Sequence, residues 1–147
     1  MREEQPDIQL FNESGKDILI DLDTVHAFLS LLKEHESCAF SLLEVVFVDE
    51  NKIVEINKEY LDRDYITDII SFRYDEDSSN KQIEGTLYCC AQRIYEQAPE
   101  HNTDAPKEFK RILIHGLLHL CGYEDRPPEA KKEMTQRENF YLDKLKA

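Results

Sequence analysis

Basic residues are scarce in this chain: 18 lysines and arginines stand against 31 aspartates and glutamates, for a formal net charge of -13 and a pI near 4.7. That balance excludes a protein that coats nucleic acid through phosphate contacts spread over its whole surface. A local basic cleft stays open, because steering depends on where charges sit and not only on their sum. The four cysteines, Cys38, Cys89, Cys90 and Cys121, lack any CxxC spacing and two are adjacent. Neither a disulfide framework nor a cysteine zinc site is expected, only reduced thiols in or near the core. No apolar run approaches a membrane span, and the opening "MREEQPDIQLF" is charged. These absences point to a cytoplasmic protein with no membrane partner. Nothing in the 147 residues reads as a linker or an internal repeat, so one domain over 1–147 is expected.

Hydrophobic residues make up 41% of the chain and fall in short periodic runs, the pattern of a folded globular protein. "IQLFNES" alternates like an opening strand, with Gly15 in the turn beyond. "DLDTVHAFLSLLKEHES" spaces Leu22, Val25, Phe28, Leu29 and Leu32 helically behind Asp21 or Asp23 as N-cap. "FSLLEVVFVD" predicts a central strand, and Asp49 caps a helix through "ENKIVEINKEYL". "TDIISFRYD" and "IEGTLYCCA" read as two neighbouring strands joined by the polar loop "EDSSNKQ". A short helix over "AQRIYEQAPE" and a longer one from near Pro106 to Gly122 follow, then Pro127 and Pro128, then a last amphipathic helix. The count predicts an α+β fold: a small mixed sheet of about four strands, four to five surrounding helices, and a zincin-like metal helix.

The chemistry concentrates in "HGLLHLCGYEDRPPEA". His115 and His119 are four apart, so on a helix their rings share one face and can converge on an ion. Gly122 permits the positive φ of a helix stop, after which the chain can fold back to offer Asp125. The spacing HxxxHxxGxxD matches that of one class of zinc peptidase, with aspartate in the last place. Two histidines and a carboxylate form an acceptable zinc ligand set, leaving a fourth position for water. The plainer alternative is a helix end with two polar histidines on a partly exposed face. A carboxylate in place of a third imidazole leaves less net positive charge on the ion, which predicts a higher pH optimum or a metal preference extending to manganese. Gly116 occupies the place of the peptidase glutamate, so peptide hydrolysis ranks below other hydrolyses, and the nearby carboxylates Glu124 and Glu108 are speculative replacements. Phosphodiester cleavage depends as much on cations that stabilise the phosphorane-like transition state. Arg111, one turn before His115 on the same face, is a candidate for that work or else a solvated surface arginine.

At "HGLLHLCGYED" the sequence resembles the YbeY family of metal-dependent endoribonucleases, whose signature runs HGxLHLxGYDH. "INKEYLDRDYITDIISF" is similar to that family's LNxxYRxxxxxTDVLSF, and "IEGTLYCCAQR" to its GDIxIS strand. The resemblance implies one zinc held by the signature and action on single-stranded RNA in ribosomal RNA maturation. It implies His115 and His119 as metal ligands, with Asp125 where the family has histidine. Asn57, Tyr60, Thr67, Asp68, Ser71 and Phe72 match the upstream motif. Departures concentrate at functional places: Leu61 stands where arginine is expected after Tyr60, and Thr86 where the strand motif has aspartate after Gly85. Arg63, two residues on, is the candidate to supply the missing guanidinium. Tyr60, Phe72, Tyr74 and Tyr123 are candidate stacking surfaces for unpaired bases, or core residues. Thr67 and Ser71 either orient groups of the site through hydrogen bonds or satisfy a strand end.

The leading expectation is therefore an RNA hydrolase that holds one zinc ion, or another divalent metal such as manganese, through His115, His119 and Asp125. Arg111 or Arg63 would steady the phosphate; ribosomal RNA or the small ribosomal subunit, with a ribosomal-protein partner, would be its setting. The rivals are a non-catalytic ribosome-assembly factor with a structural metal, favoured by Leu61 and Thr86, and a peptidase, disfavoured by Gly116.

Overall fold

The computed structural model describes residues 6–74 and 82–145. Its elements run β1 (Asp7–Asn12), α1 (Leu22–Glu36), β2 (Ala39–Val48), α2 (Glu50–Leu61), β3 (Ile69–Arg73), β4 (Gln82–Cys90), α3 (Ala91–Glu100), α4 (Ala105–Leu120) and α5 (Pro128–Lys144). The sheet order is β1-β2-β4-β3, with β1 and β4 parallel to β2 and β3 antiparallel to β4. The expected mixed four-stranded α+β architecture is what forms. Apart from Gln82, the loop "EDSSNKQ" lies outside the described residues.

Strand alternation sorts the side chains into two layers. Leu43, Val45, Phe47, Ile83, Leu87 and Cys89 pack with α1, α3, α4 and α5 in the main core. Val48, Ile70 and Cys90 face the other way, toward Ile53 and Ile56 of α2. Asp21 caps α1 by accepting from the Thr24 N–H (2.8 Å), and Asp49 caps α2 through the Lys52 N–H (2.8 Å). Helix α1 buries Val25, Phe28 and Leu32 completely, contacts worth roughly 1.5–3 kcal/mol per large side chain. All four cysteines are free, with Cys89 and Cys90 buried and Cys38 and Cys121 half-buried. Among the described residues no helix is long and apolar enough to cross a membrane.

Helix α4 matters most for function, and two glycines let it sit close to the sheet. A Cβ on Gly116 would stand 2.5 Å from Ile69 Cδ1 and 3.0 Å from Leu87 Cδ2. A Cβ on Gly85 of β4 would stand 2.8 Å from the Phe72 carbonyl oxygen and 3.1 Å from Leu120. Position 116 therefore faces the sheet, and a glutamate there would enter the core instead of the groove where His115 lies. Proximity to the sheet explains Gly116.

Candidate metal centre

Asp104 starts α4 by accepting from the Lys107 N–H (2.9 Å), and Pro106 lies in its first turn. The helix stops where the sequence predicts. Gly122 has φ +109°, its N–H donates to the His119 carbonyl (3.0 Å), and the Tyr123 N–H donates to the Leu118 carbonyl (3.0 Å). This turn brings Asp125 back over the helix end. His115 Nε2 and His119 Nε2 are 3.1 Å apart, and Asp125 Oδ2 is 3.7 Å from His119 Nε2. The ligand atoms of the three residues all lie within 4.8 Å of one another.

The far side of each imidazole decides what the near side can be. His115 Nδ1 lies 2.6 Å from Glu138 Oε2, and His119 Nδ1 lies 3.0 Å from the Tyr123 carbonyl oxygen. Both partners only accept, so both Nδ1 atoms must donate. A neutral ring that donates from Nδ1 carries a lone pair at Nε2. Two such lone pairs then face each other and a carboxylate, an arrangement that only a proton or a metal cation settles. Two nitrogens bound at about 2.0–2.1 Å on a tetrahedral ion stand roughly 3.3 Å apart, close to the observed separation. The residues fit a metal ion, and Glu138 and the Tyr123 carbonyl are the outer partners such ligands normally have.

Electrostatics agree with this geometry. Burial pulls the His115 pKa down, but the hydrogen bond and charge of Glu138, with Asp68 and Asp125, push it above its ordinary value. Burial and then the neighbouring charge of His115 hold His119 below its own. Burial would raise the Glu138 carboxyl, yet the His115 hydrogen bond and charge, with Arg111, hold it low.

Other predicted residues fall differently. Arg111 reaches the groove, but its Nη1 donates to Glu138 Oε1 (2.9 Å) and its Nη2 to Asn139 Oδ1 (2.7 Å), so the guanidinium braces α5 against α4. Arg63 stands exposed in the turn after α2 and does not line the groove beside His115. Tyr60 is 61% exposed with its ring edge-on to Phe72 at 5.4 Å, and Phe72 packs against the α2 layer. Tyr123 is half-buried: its hydroxyl donates to Glu36 Oε1 (2.9 Å) while its carbonyl holds His119. Thr67 and Ser71 are part-buried and do not line the groove, whereas Asp68 between them does. The departing Thr86 is buried, accepting from Tyr74 (2.9 Å) and donating to Glu44 (3.0 Å). Glu124 lies on another cavity, with Cys121 and Glu133.

The groove has a volume of about 350 Å³ and runs along α4 from His101 and Glu108 to His115 and Asp125, with Asp68 on one wall and Lys131 and Glu138 on the other. Sequence reasoning missed Asp68, His101 and Glu138 as parts of one groove, because they come from three different segments. The spacing of Glu108, Arg111 and His115 at i, i+3 and i+7 was the available signal, since it marks one helix face.

A mixed four-stranded sheet carrying a helix with two convergent imidazoles, closed by a carboxylate beyond the helix stop, defines an α+β fold with one candidate metal centre among the described residues. The family model described as Endoribonuclease YbeY matches residues 11–146, and the chain belongs to that family. It is 47% identical to endoribonuclease YbeY of Chlorobium luteolum over 61% of this chain and 64% of that relative. Against endoribonuclease YbeY of Chlorobium limicola the identity is 34% over 93% of this chain and 92% of that protein. The solution structure of TM1509 from Thermotoga maritima superposes with a TM-score of 0.65, at 26% identity, covering 92% of this chain and 87% of that one.

Proposed function

We propose that the chain is a metal-dependent endoribonuclease of one domain that cuts single-stranded RNA and acts in ribosomal RNA maturation. The observation that carries the reading is the convergence of His115 Nε2, His119 Nε2 and Asp125 Oδ2 with both Nδ1 atoms engaged elsewhere. Zinc is the ion of first choice for two imidazoles and a carboxylate, with manganese as the alternative. When bound, the ion supplies a Lewis acid that polarises the phosphate and makes water a stronger acid. The protein's own residues do the rest: Glu138 and the Tyr123 carbonyl aim the imidazoles, and Asp125 completes the set. His115 is proposed to act through the ion it holds, and Arg111 to favour an anion in the groove by its charge. Arg63, Tyr60, Thr67 and Ser71 are proposed for RNA contacts outside the groove.

The net charge of -13 requires that phosphate contacts be local. Lys107, Lys110 and Arg111 line one cavity flanking α4, while Arg126, Lys131 and Lys132 line another beside Asp125. These six cations bracket the groove, and they are where the RNA backbone would run. A small-subunit partner, including a ribosomal protein, would help an acidic protein approach RNA; the setting is the cytoplasm. The reading in which the ion would only clip helices together is not favoured: among the described residues three groups could hold an ion, the number of protein ligands at a catalytic zinc, and two of them, His115 and Asp125, line the groove.

His115→Ala tests the function. Zinc content, by elemental analysis of the purified protein, and cleavage of a fluorescent single-stranded RNA should both be lost. The wild type should stop cutting when a chelator is added, and casein should remain uncut throughout. Cleavage that persists without metal sinks the proposal.

A further inference from the structure

The place a zinc peptidase uses for its proton acceptor is Gly116 here, which faces the sheet, so an acceptor would have to come from elsewhere in the groove. Four carboxylates line the groove: Asp68, Glu108, Asp125 and Glu138. Asp125 is a proposed metal ligand. Glu138 uses one oxygen on His115 and the other on Arg111. Glu108 is fully buried; its Oε2 accepts from Gln97 Nε2 (2.9 Å) and lies 2.9 Å from His101 Nδ1, while Oε1 is enclosed with no partner among the described residues. Asp68 is different. It is part-buried, its Oδ2 accepts from Gln97 Nε2 (3.0 Å), and among the described residues no hydrogen bond or ion pair reaches its Oδ1.

The surroundings hold Asp68 in place. Its carbonyl accepts from the Cys90 N–H (2.9 Å), which ties the start of β3 to the end of β4. The single Gln97 amide nitrogen, from α3, spends one hydrogen on Asp68 and the other on Glu108. Glu108 and His101 thereby fix the amide that fixes Asp68. Asp68 and His115 line the same groove.

We propose that Asp68 is a catalytic residue, the acceptor of the proton of the attacking water in RNA cleavage; this rests on the endoribonuclease reading above. The water O–H bond breaks and its proton goes to Asp68 Oδ1, as the water oxygen bonds to phosphorus. The bond from phosphorus to the leaving ribose oxygen breaks, and that oxygen takes a proton from solvent. One water is added across one P–O bond, and Asp68 returns its proton to solvent. Gln97 is a positioning residue, with Glu108 and His101 behind it.

The test uses the full chain loaded with zinc. Asp68→Asn and Asp68→Ala are compared with wild type for single-turnover cleavage of a single-stranded RNA, zinc affinity by chelator competition, and RNA affinity by fluorescence anisotropy. Cleavage should fall about 10²–10⁴-fold, the usual worth of a general base, with both affinities unchanged. Added formate should restore part of the rate to Asp68→Ala and none to Asp68→Asn. Wild-type cleavage should be slower in D2O, a readout that needs no variant to fold. Undiminished cleavage by Asp68→Asn, or a rate indifferent to D2O, overturns the assignment while leaving the endoribonuclease reading intact. Loss of zinc from Asp68→Asn makes Asp68 a holder of metal and overturns it too. A zinc-loaded wild type that cuts no RNA overturns both.

Discussion

Glu138 lies 23 residues from His115 in sequence, yet its carboxylate is 2.6 Å from His115 Nδ1. A carboxylate behind a ligating imidazole fixes the tautomer, turns the ring and raises the basicity of the nitrogen that meets the metal. Removing it should cost about 10–100-fold in metal affinity. Glu138→Gln, followed by chelator competition for zinc, is expected to show that loss with the fold retained; wild-type affinity would mean the contact is incidental. The convergence of the three candidate ligands was legible in the sequence because helix periodicity places His115 and His119 on one face and a glycine stop returns Asp125. Glu138 was not legible, because a contact between two helices leaves no local spacing. Arg111 was legible as a residue of the groove, whereas its contact with the buried Glu138 carboxylate from another helix was not.

Elements follow the same logic, since most of their ends are written locally. Asp21, Asp49 and Asp104 are N-caps where a short acceptor precedes an apolar-periodic run, and Gly122 ends α4 with a positive φ. The strand order was not written in any one segment, because β2 pairs with β4 across α2 and β3. Close packing of α4 on the sheet was also hidden, and Gly116 read as a missing glutamate when it is a missing side chain. The two contact glycines should differ in cost. Alanine at 116 meets the mobile ends of Ile69 and Leu87, and it gains about 1 kcal/mol of helix propensity over glycine. Alanine at 85 meets a backbone oxygen that cannot move aside, with no helix term to offset the overpacking of about 1–3 kcal/mol. Urea unfolding should therefore place Gly85→Ala well below Gly116→Ala in stability; the reverse order would mean that α4 is not held at this distance.

At the scale of the whole molecule, Glu36, the last residue of α1, ties that helix to two distant segments. It accepts from Tyr123 in the turn after α4 (2.9 Å), from Tyr141 on α5 (2.6 Å), and from the Arg137 guanidinium. Burial alone would raise the Glu36 carboxyl, but hydrogen bonds from Tyr141, Arg137 and Tyr123 hold it below its ordinary value of 4.5. A carboxyl with a depressed folded pKa contributes stability above the unfolded value, and that contribution is lost as pH falls through the folded one. The phenols of Tyr141 and Tyr123 are shifted up, chiefly by burial and by Glu36, so on the alkaline side the cluster holds until the phenols ionise. Acid also relieves the mutual repulsion of a chain with net charge -13, which stabilises the compact state and masks the Glu36 effect in the wild type alone. Comparison with Glu36→Gln removes the shared repulsion. The variant should be less stable by about 1.5–3 kcal/mol at pH 7, the usual worth of hydrogen bonds to a charged group. Urea titrations at a series of pH values should show that gap constant near neutrality and shrinking below about pH 4.5, as the wild-type carboxylate takes up its proton. A gap that stays constant into acid would show that Glu36 ties these helices together by shape and not by charge.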